Sequence, residues 1–217
     1  MKPYFQDEGI TLFCGDCLAV LDGIGSVDLV ATDPPYNVGL TYQGDESGDK
    51  MAHYDLWCAS WFLKLKQRAK TIALTPGSNN VGMWYRIAPP DSIAWWVKSG
   101  ICRGEPILLW GERAKAFEVL IAPIRKLAEC EGHPCPKPEL FAKRLIAYLS
   151  KEGETVLDPF SGTGTILKEA RLAGRKAIGI ERDDGYCKIA VARMAQGVLA
   201  LSTSTASMRL EERSAAE

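Results

Sequence analysis

No run of apolar residues in the 217-residue chain approaches the roughly 18 to 20 positions of a membrane-spanning helix. The opening Met1-Lys2-Pro3-Tyr4-Phe5-Gln6-Asp7-Glu8 also lacks the apolar stretch of a secretory signal, so a cytoplasmic protein without membrane partners is expected. A disulfide framework is equally unsupported, because the seven cysteines are an odd number and thiols in that compartment stay reduced. Cys14 and Cys17 form a Cys-x-x-Cys pair, and Cys130, His133 and Cys135 would complete a zinc set. Their spacing does not follow two regular knuckles, so no metal is expected. Disorder and fibrous repeats are excluded by 47% hydrophobic and 24% charged residues, which suit one core of ordinary size.

Neither sign of charge dominates, yet a net charge of −1 conceals a polarity along the chain. Residues 1–60 hold 2 basic and 10 acidic side chains, residues 61–151 hold 15 and 7, and residues 152–217 hold 9 and 10. A basic middle third is what a polyanion-binding surface needs, although a solvated charged face has the same composition. The expected phosphate contacts are Lys64, Lys66, Arg68, Lys70, Arg86, Lys98 and Arg103.

Val27–Thr32 is a short apolar, partly β-branched run that stops at Asp33-Pro34-Pro35, where two prolines cannot continue a central strand. The same grammar returns at residues 155–158 before Pro159. There the glycine-rich Ser161-Gly162-Thr163-Gly164 leads into Ile166, Leu167, Ala170 and Ala173 at helical spacing, then Gly174 and a second strand, 177–181. Residues 155–181 therefore predict a βαβ unit. Further strands are expected at 71–75, 92–97, 107–110 and 117–121, and helices at 51–70, 138–149 and 186–196. Pro138 is placed in a first helical turn, with Leu140, Phe141, Leu145 and Leu149 on one face. Strands interleaved with helices imply an α/β sheet.

In such a sheet ligands bind beyond the carboxyl ends of the strands, and Asp33, Asp158 and Glu181 all fall at such ends. Glu181 lies 17 residues after Gly164, close to where a nucleoside-binding βαβ unit places the acid that accepts ribose hydroxyls. The dinucleotide fingerprint is incomplete, because its third glycine position is Leu167. A cofactor with a nucleoside but no pyrophosphate, such as S-adenosylmethionine, needs only the turn and the acid. Taken alone, the glycine pair also reads as a plain turn.

The tetrapeptide Asp33-Pro34-Pro35-Tyr36, followed by Asn37, closely resembles the catalytic motif of amino-directed DNA methyltransferases. Asp158-Pro159-Phe160-Ser161-Gly162-Thr163-Gly164 resembles their S-adenosylmethionine loop, and His133-Pro134-Cys135-Pro136-Lys137-Pro138 resembles the segment preceding it. The order, with the tetrapeptide before the cofactor loop, matches the β-type arrangement, and the resemblance spans residues 11–196. It implies a Rossmann-like methyltransferase sheet entered in permuted order. It further implies catalysis by Asp33, Pro34, Pro35 and Tyr36, and S-adenosylmethionine binding by Asp16, Lys137, Asp158, Phe160, Ser161, Gly162, Thr163, Gly164 and Glu181. Asp16 corresponds to an acid near the cofactor adenine.

The chemistry suits these residue types. An exocyclic amine is a poor nucleophile until acceptors localise its lone pair, which the Asp33 carboxylate and the Pro34 carbonyl would do. Tyr36 offers a flat face to a base rotated out of the duplex. As a bare tripeptide, Asp33-Pro34-Pro35 would equally serve as a rigid turn. The aspartate favours adenine N6 over cytosine N4, whose enzymes often carry serine there. An RNA or protein-amide methyltransferase and a zinc-dependent nucleic-acid-binding module are the more distant readings.

One methyltransferase domain is expected over residues 1–196, with a minimal target-recognition region inside 83–132 and a flexible tail over 197–217. The short chain is similar to small phage or prophage enzymes. Base contacts to double-stranded DNA are expected from residues 37–57 and 83–105 or from a second subunit of a homodimer.

Overall fold

The computed structural model describes residues 2–40, 50–98, 104–123 and 137–195. One nine-stranded sheet organises them. It comprises β1 (Phe5–Gln6), β2 (Ile10–Cys14), β3 (Val27–Thr32), β4 (Ala69–Leu74), β5 (Ser92–Val97), β6 (Gly104–Gly111), β7 (Val119–Ile121), β8 (Thr155–Asp158) and β9 (Lys176–Glu181). Their spatial order is β1-β2-β9-β8-β3-β4-β6-β5-β7. Strands β2, β9, β8, β3 and β4 run parallel, and β6 and β5 are antiparallel neighbours beyond β4.

Helices cover both faces, and the alternation of side chains along each strand decides which residues each layer receives. Along β6, Ile107 and Leu109 join one core while Leu108 and Trp110 join the other. The first core is closed by α4 (Glu139–Leu149), α5 (Thr165–Leu172) and the helical residues 184–195, α6. The second is closed by α1 (Cys17–Leu21), α2 (Tyr54–Lys66) and α3 (Val81–Ile87). Among the described residues no helix is long and apolar enough to cross a membrane.

The expected βαβ unit is present as β8, α5 and β9. The 92–97 strand matches β5, whereas 107–110 extends to all of β6 and 117–121 shortens to β7. Helix α2 is shorter than 51–70, because His53 takes a left-handed conformation at φ 57° and the chain after Gln67 turns back into β4. Pro138 is the N-cap of α4 in an extended conformation, one position before the first turn. Leu140 is 38% exposed, since the buried ridge runs through Phe141, Ala142, Leu145, Ile146 and Leu149. Strand β2 and helices α1 and α3 had no expectation, and α3 buries a single large side chain, Trp84.

Leu167, standing where a dinucleotide fingerprint has its third glycine, shows how this variant of the fold closes. In that fingerprint the helix glycine lets helix and strand approach. Here the small residue is on the strand, because a Cβ at Gly179 would lie 2.5 Å from a Leu167 methyl and 3.1 Å from both Leu12 and Ser161 Oγ. Gly179→Ala is expected to destabilise the protein by about 1–3 kcal/mol through overpacking, measured by urea unfolding.

Candidate active site

Permuted chain order is undone by the sheet, which sets β3 beside β8 although 126 residues separate Thr32 from Asp158. The Thr32 hydroxyl donates to Asp158 Oδ1 at 2.9 Å, and the next residue on that strand exit is Asp33. The carboxyl ends of β2, β9, β8, β3 and β4 therefore share one edge, where Asp16, Glu181, Asp158, Asp33 and Thr75 follow or end their strands.

Asp33 is held by donors on three sides. Tyr36 Oη donates to Oδ1 at 2.5 Å, the Thr75 hydroxyl donates to the same oxygen, and Lys137 Nζ lies 2.6 Å from Oδ2. Lys137 Nζ also donates to Tyr36 Oη at 3.1 Å and stands 5.4 Å from the Tyr36 ring centre. Burial opposes the Lys137 charge, but the Asp33 carboxylate overrides it and raises the ammonium above its ordinary range. Tyr36 is pushed up as well, first by burial and then by Asp33.

The Asp33–Asn37 segment is clamped by residues farther along the chain, through two of its carbonyls and the Asn37 side chain. Tyr54 Oη donates to the Pro35 carbonyl at 2.5 Å, Asn80 Nδ2 donates to the Tyr36 carbonyl at 2.9 Å, and the Met51 amide donates to Asn37 Oδ1 at 2.6 Å. Gly77, at φ 68°, lies flat under the Tyr36 ring, which a Cβ there would meet at 3.0 Å. Sequence reasoning missed Thr75, Gly77 and Asn80. A Thr-Pro-Gly turn after an apolar strand signals a loop, but nothing local shows that the loop faces a tetrapeptide some 40 residues earlier.

Two cavities meet at Asp33, Phe160 and Gly162. The first is lined by Asp16, Cys17, Trp57, Phe160, Ile180 and Glu181, among others. Glu181 accepts the Gly162 and Asp183 amides, each at 2.8 Å, and burial raises its carboxyl above the usual range. Asp16 also N-caps α1, accepting the Leu18 amide at 2.9 Å. Trp57 and Phe160 are ring neighbours 5.5 Å apart. Trp57 too was missed, because a helical tryptophan reads as core.

The second cavity is lined by Asp33, Thr75, Lys137, Asp158, Ser161 and Thr163 with an apolar floor. Lys137, expected to face a cofactor, borders this cavity but is bonded to Asp33 and Tyr36. The Ser161 hydroxyl donates to the Ile180 carbonyl at 3.3 Å, and the Thr163 hydroxyl accepts from Arg193 at 3.2 Å, so both are engaged by the fold. Gly162 and Gly164 have φ of 49° and 78°, and a Cβ at Gly164 would lie 2.9 Å from the Ala190 methyl. The pair of cavities suits a long ligand with a flat hydroxyl-bearing group at one end and charged groups at the other.

The basic stretch is distributed differently from the expectation. Lys64 and Lys70 pair with Asp22 at 2.5 Å and Asp28 at 2.6 Å, and Arg68 donates to the Ile24 and Lys64 carbonyls. These three, with Lys66, lie near the amino end of β4 and so at the opposite edge of the sheet from Asp33. Lys98 is at the carboxyl end of β5 and pairs with Glu105, Arg86 is on α3, and Arg103 lies outside the described residues. Lys50 and Arg182 are exposed cations on the Asp33 edge. Within 83–132, the described residues supply α3, β5, β6 and β7, so much of the span assigned to target recognition builds the sheet.

Cys130, His133 and Cys135 lie outside the described residues. Cys14 is half-buried and Cys17 buried, with its thiol pushed up to about 12 by burial. Among the described residues no group of three metal-ligating side chains occurs.

A family model described as DNA methylase matches residues 109–192. The chain is 26% identical to the type II methyltransferase M.HpaI of Haemophilus parainfluenzae, over 84% of this chain and 73% of that one. It is 28% identical to the DNA adenine methyltransferase YhdJ of Escherichia coli K12, over 88% and 84% of the two. Among solved structures, the M1.HpyAVI–SAM complex superposes with a TM-score of 0.66 at 17% identity, covering 85% of this chain and 98% of that one. The cytosine-N4-specific PvuII DNA methyltransferase gives 0.66 at 17%, covering 88% of each. At those identities the structural likeness is one of fold.

Burial places the Asp158 carboxyl at about 7, above its ordinary value, despite hydrogen bonds from Thr32 and the Phe160 amide. A raised acid favours the folded state fully below about pH 4, and that contribution is lost as pH rises to about 7. Asp158→Asn stays neutral throughout. Its stability relative to the parent is therefore expected to improve from pH 4 to 7 and level off above, in urea unfolding at stepped pH.

Proposed function

We propose that this chain, a relative of the amino-directed DNA methyltransferases, transfers a methyl group from S-adenosylmethionine to the exocyclic amine of a base rotated out of duplex DNA, with adenine N6 preferred. The observation that carries the reading is the position of Asp33 at the junction of the two cavities. S-adenosylmethionine is a nucleoside and an amino acid joined at a sulfonium, and the cavities divide in the same way. The first supplies apolar walls with a carboxylate at one end, fitting a base and ribose hydroxyls at Trp57, Phe160 and Glu181. The second supplies Asp158 and Lys137, fitting an ammonium and a carboxylate. When bound, S-adenosylmethionine supplies an electrophilic methyl group.

The protein's own residues prepare the nucleophile. A carboxylate has about four acceptor positions. Three donors hold Asp33 in place, and the amine hydrogens of the target take the remaining capacity together with the Pro34 carbonyl. Both acceptors draw the lone pair out of conjugation and stabilise positive charge as it grows on nitrogen. The buried Lys137 balances the charge of the partly exposed Asp33 until that positive charge arrives. Tyr36, held flat by Gly77 and Asn80, presents its ring to the base and its hydroxyl to Asp33. The adenine preference rests on aspartate at position 33, and YhdJ, named as an adenine enzyme, supports it. Residues 1–196 act as one domain, with the exposed Lys50 and Arg182 offering positive charge to DNA on the edge that holds the site.

Asp33→Asn keeps the side-chain volume but turns a donor toward Lys137 and the target amine. It is expected to lose methyl transfer to mixed-sequence DNA by on the order of a hundredfold while retaining cofactor binding. Mass analysis of the treated nucleosides reads the base, and N4-methylcytosine in place of N6-methyladenine would reverse the preference. Glu181→Ala is expected to weaken S-adenosylmethionine binding by about tenfold or more in calorimetry, because a buried acceptor of hydroxyls is removed.

A further inference from the structure

Arg193, on α6, is 2% exposed, and a buried cation is costly unless its donors are matched. Its Nη1 donates to the Thr163 carbonyl at 2.8 Å, to Thr163 Oγ1 at 3.2 Å and to Thr165 Oγ1 at 3.0 Å. Its Nη2 donates to Glu139 Oε1 at 3.0 Å, an oxygen that also takes Lys168 Nζ at 2.6 Å. Glu139 opens α4 two residues after Lys137, the residue that pairs with Asp33. The same helix supports the loop a second time, since Ala190, one turn earlier, is the residue against which Gly164 packs.

One planar guanidinium therefore grips two segments that enter the site from different directions. Its fork is rigid and spans several acceptors, which a lysine ammonium on a flexible stem does not reproduce. We infer that Arg193 is a positioning residue that locks the glycine loop and the Lys137 segment into one frame and thereby sets affinity for S-adenosylmethionine. This inference rests on the methyl-transfer reading above.

The test uses the full chain, with Arg193→Lys as the first variant and Thr165→Val, which removes one acceptor of the fork at nearly constant volume, as the second. Calorimetric titration with S-adenosylmethionine is expected to show Kd raised by about tenfold for Arg193→Lys and about threefold for Thr165→Val. KM for S-adenosylmethionine should rise by the same factors, with kcat at saturation changed less than KM. Thermal melting reports folding, and if Arg193→Lys does not fold, Thr165→Val decides. Folded variants with parental Kd, or with kcat lowered at unchanged Kd, would overturn the positioning role while leaving the methyl-transfer reading intact. A parental protein that fails to bind S-adenosylmethionine would overturn both.

Discussion

The hydrogen bond from Thr32 to Asp158 joins the two strands on which the rest of the site depends. It is buried, it crosses the boundary between β3 and β8, and it brings together segments from the two halves of the chain. At that boundary the helices following the two strands leave on opposite faces of the sheet, α2 after β3 and α5 after β8, which opens a crevice between the strand ends. Asp33 stands on one lip and the glycine loop on the other. Without the β3–β8 pairing, Asp33 and the glycine loop would have no fixed distance between them.

Around that crevice the fold spends its charged groups on one another. Asp33 is matched by Lys137, and Glu139 by Lys168 and Arg193. Each of these pairs includes a partly or fully buried member, where an unmatched charge would be costly. The consequence is a site whose acceptors are already oriented before any ligand arrives. Such preorganisation is what electrostatic stabilisation of a developing charge requires.

The aromatic side chains divide differently. Trp61, Phe62, Trp84 and Trp110 pack edge to face or tilted at 4.7–6.3 Å on the α2 side of the sheet. Trp57 and Phe160 continue that cluster outward to the wall of the first cavity. This part of the cavity wall is thus an extension of the core, and packing against Trp61 fixes where the Phe160 ring stands.

Local patterns in the chain carried much of this. The β8–α5–β9 unit was legible because apolar alternation, a glycine turn and helical spacing follow one another within 27 residues, where only short-range geometry is involved. Asp33, Asp158 and Glu181 were legible for a related reason: a strand must end where its periodicity stops, and parallel strands expose their carboxyl ends together. What the chain alone did not reveal was pairing across distance. Thr75, Gly77, Asn80 and Trp57 look like loop or core residues until the sheet places them against Asp33–Tyr36 and Glu181. The basic middle third likewise looks like one surface until α2 and β4 carry Lys64–Lys70 to the far edge. Sequence determined which residues could form strands, turns and acids at strand ends, because those depend on neighbours in the chain. Tertiary structure alone decided which of them meet, because strand order and the face each helix covers are set by burial summed over the whole sheet.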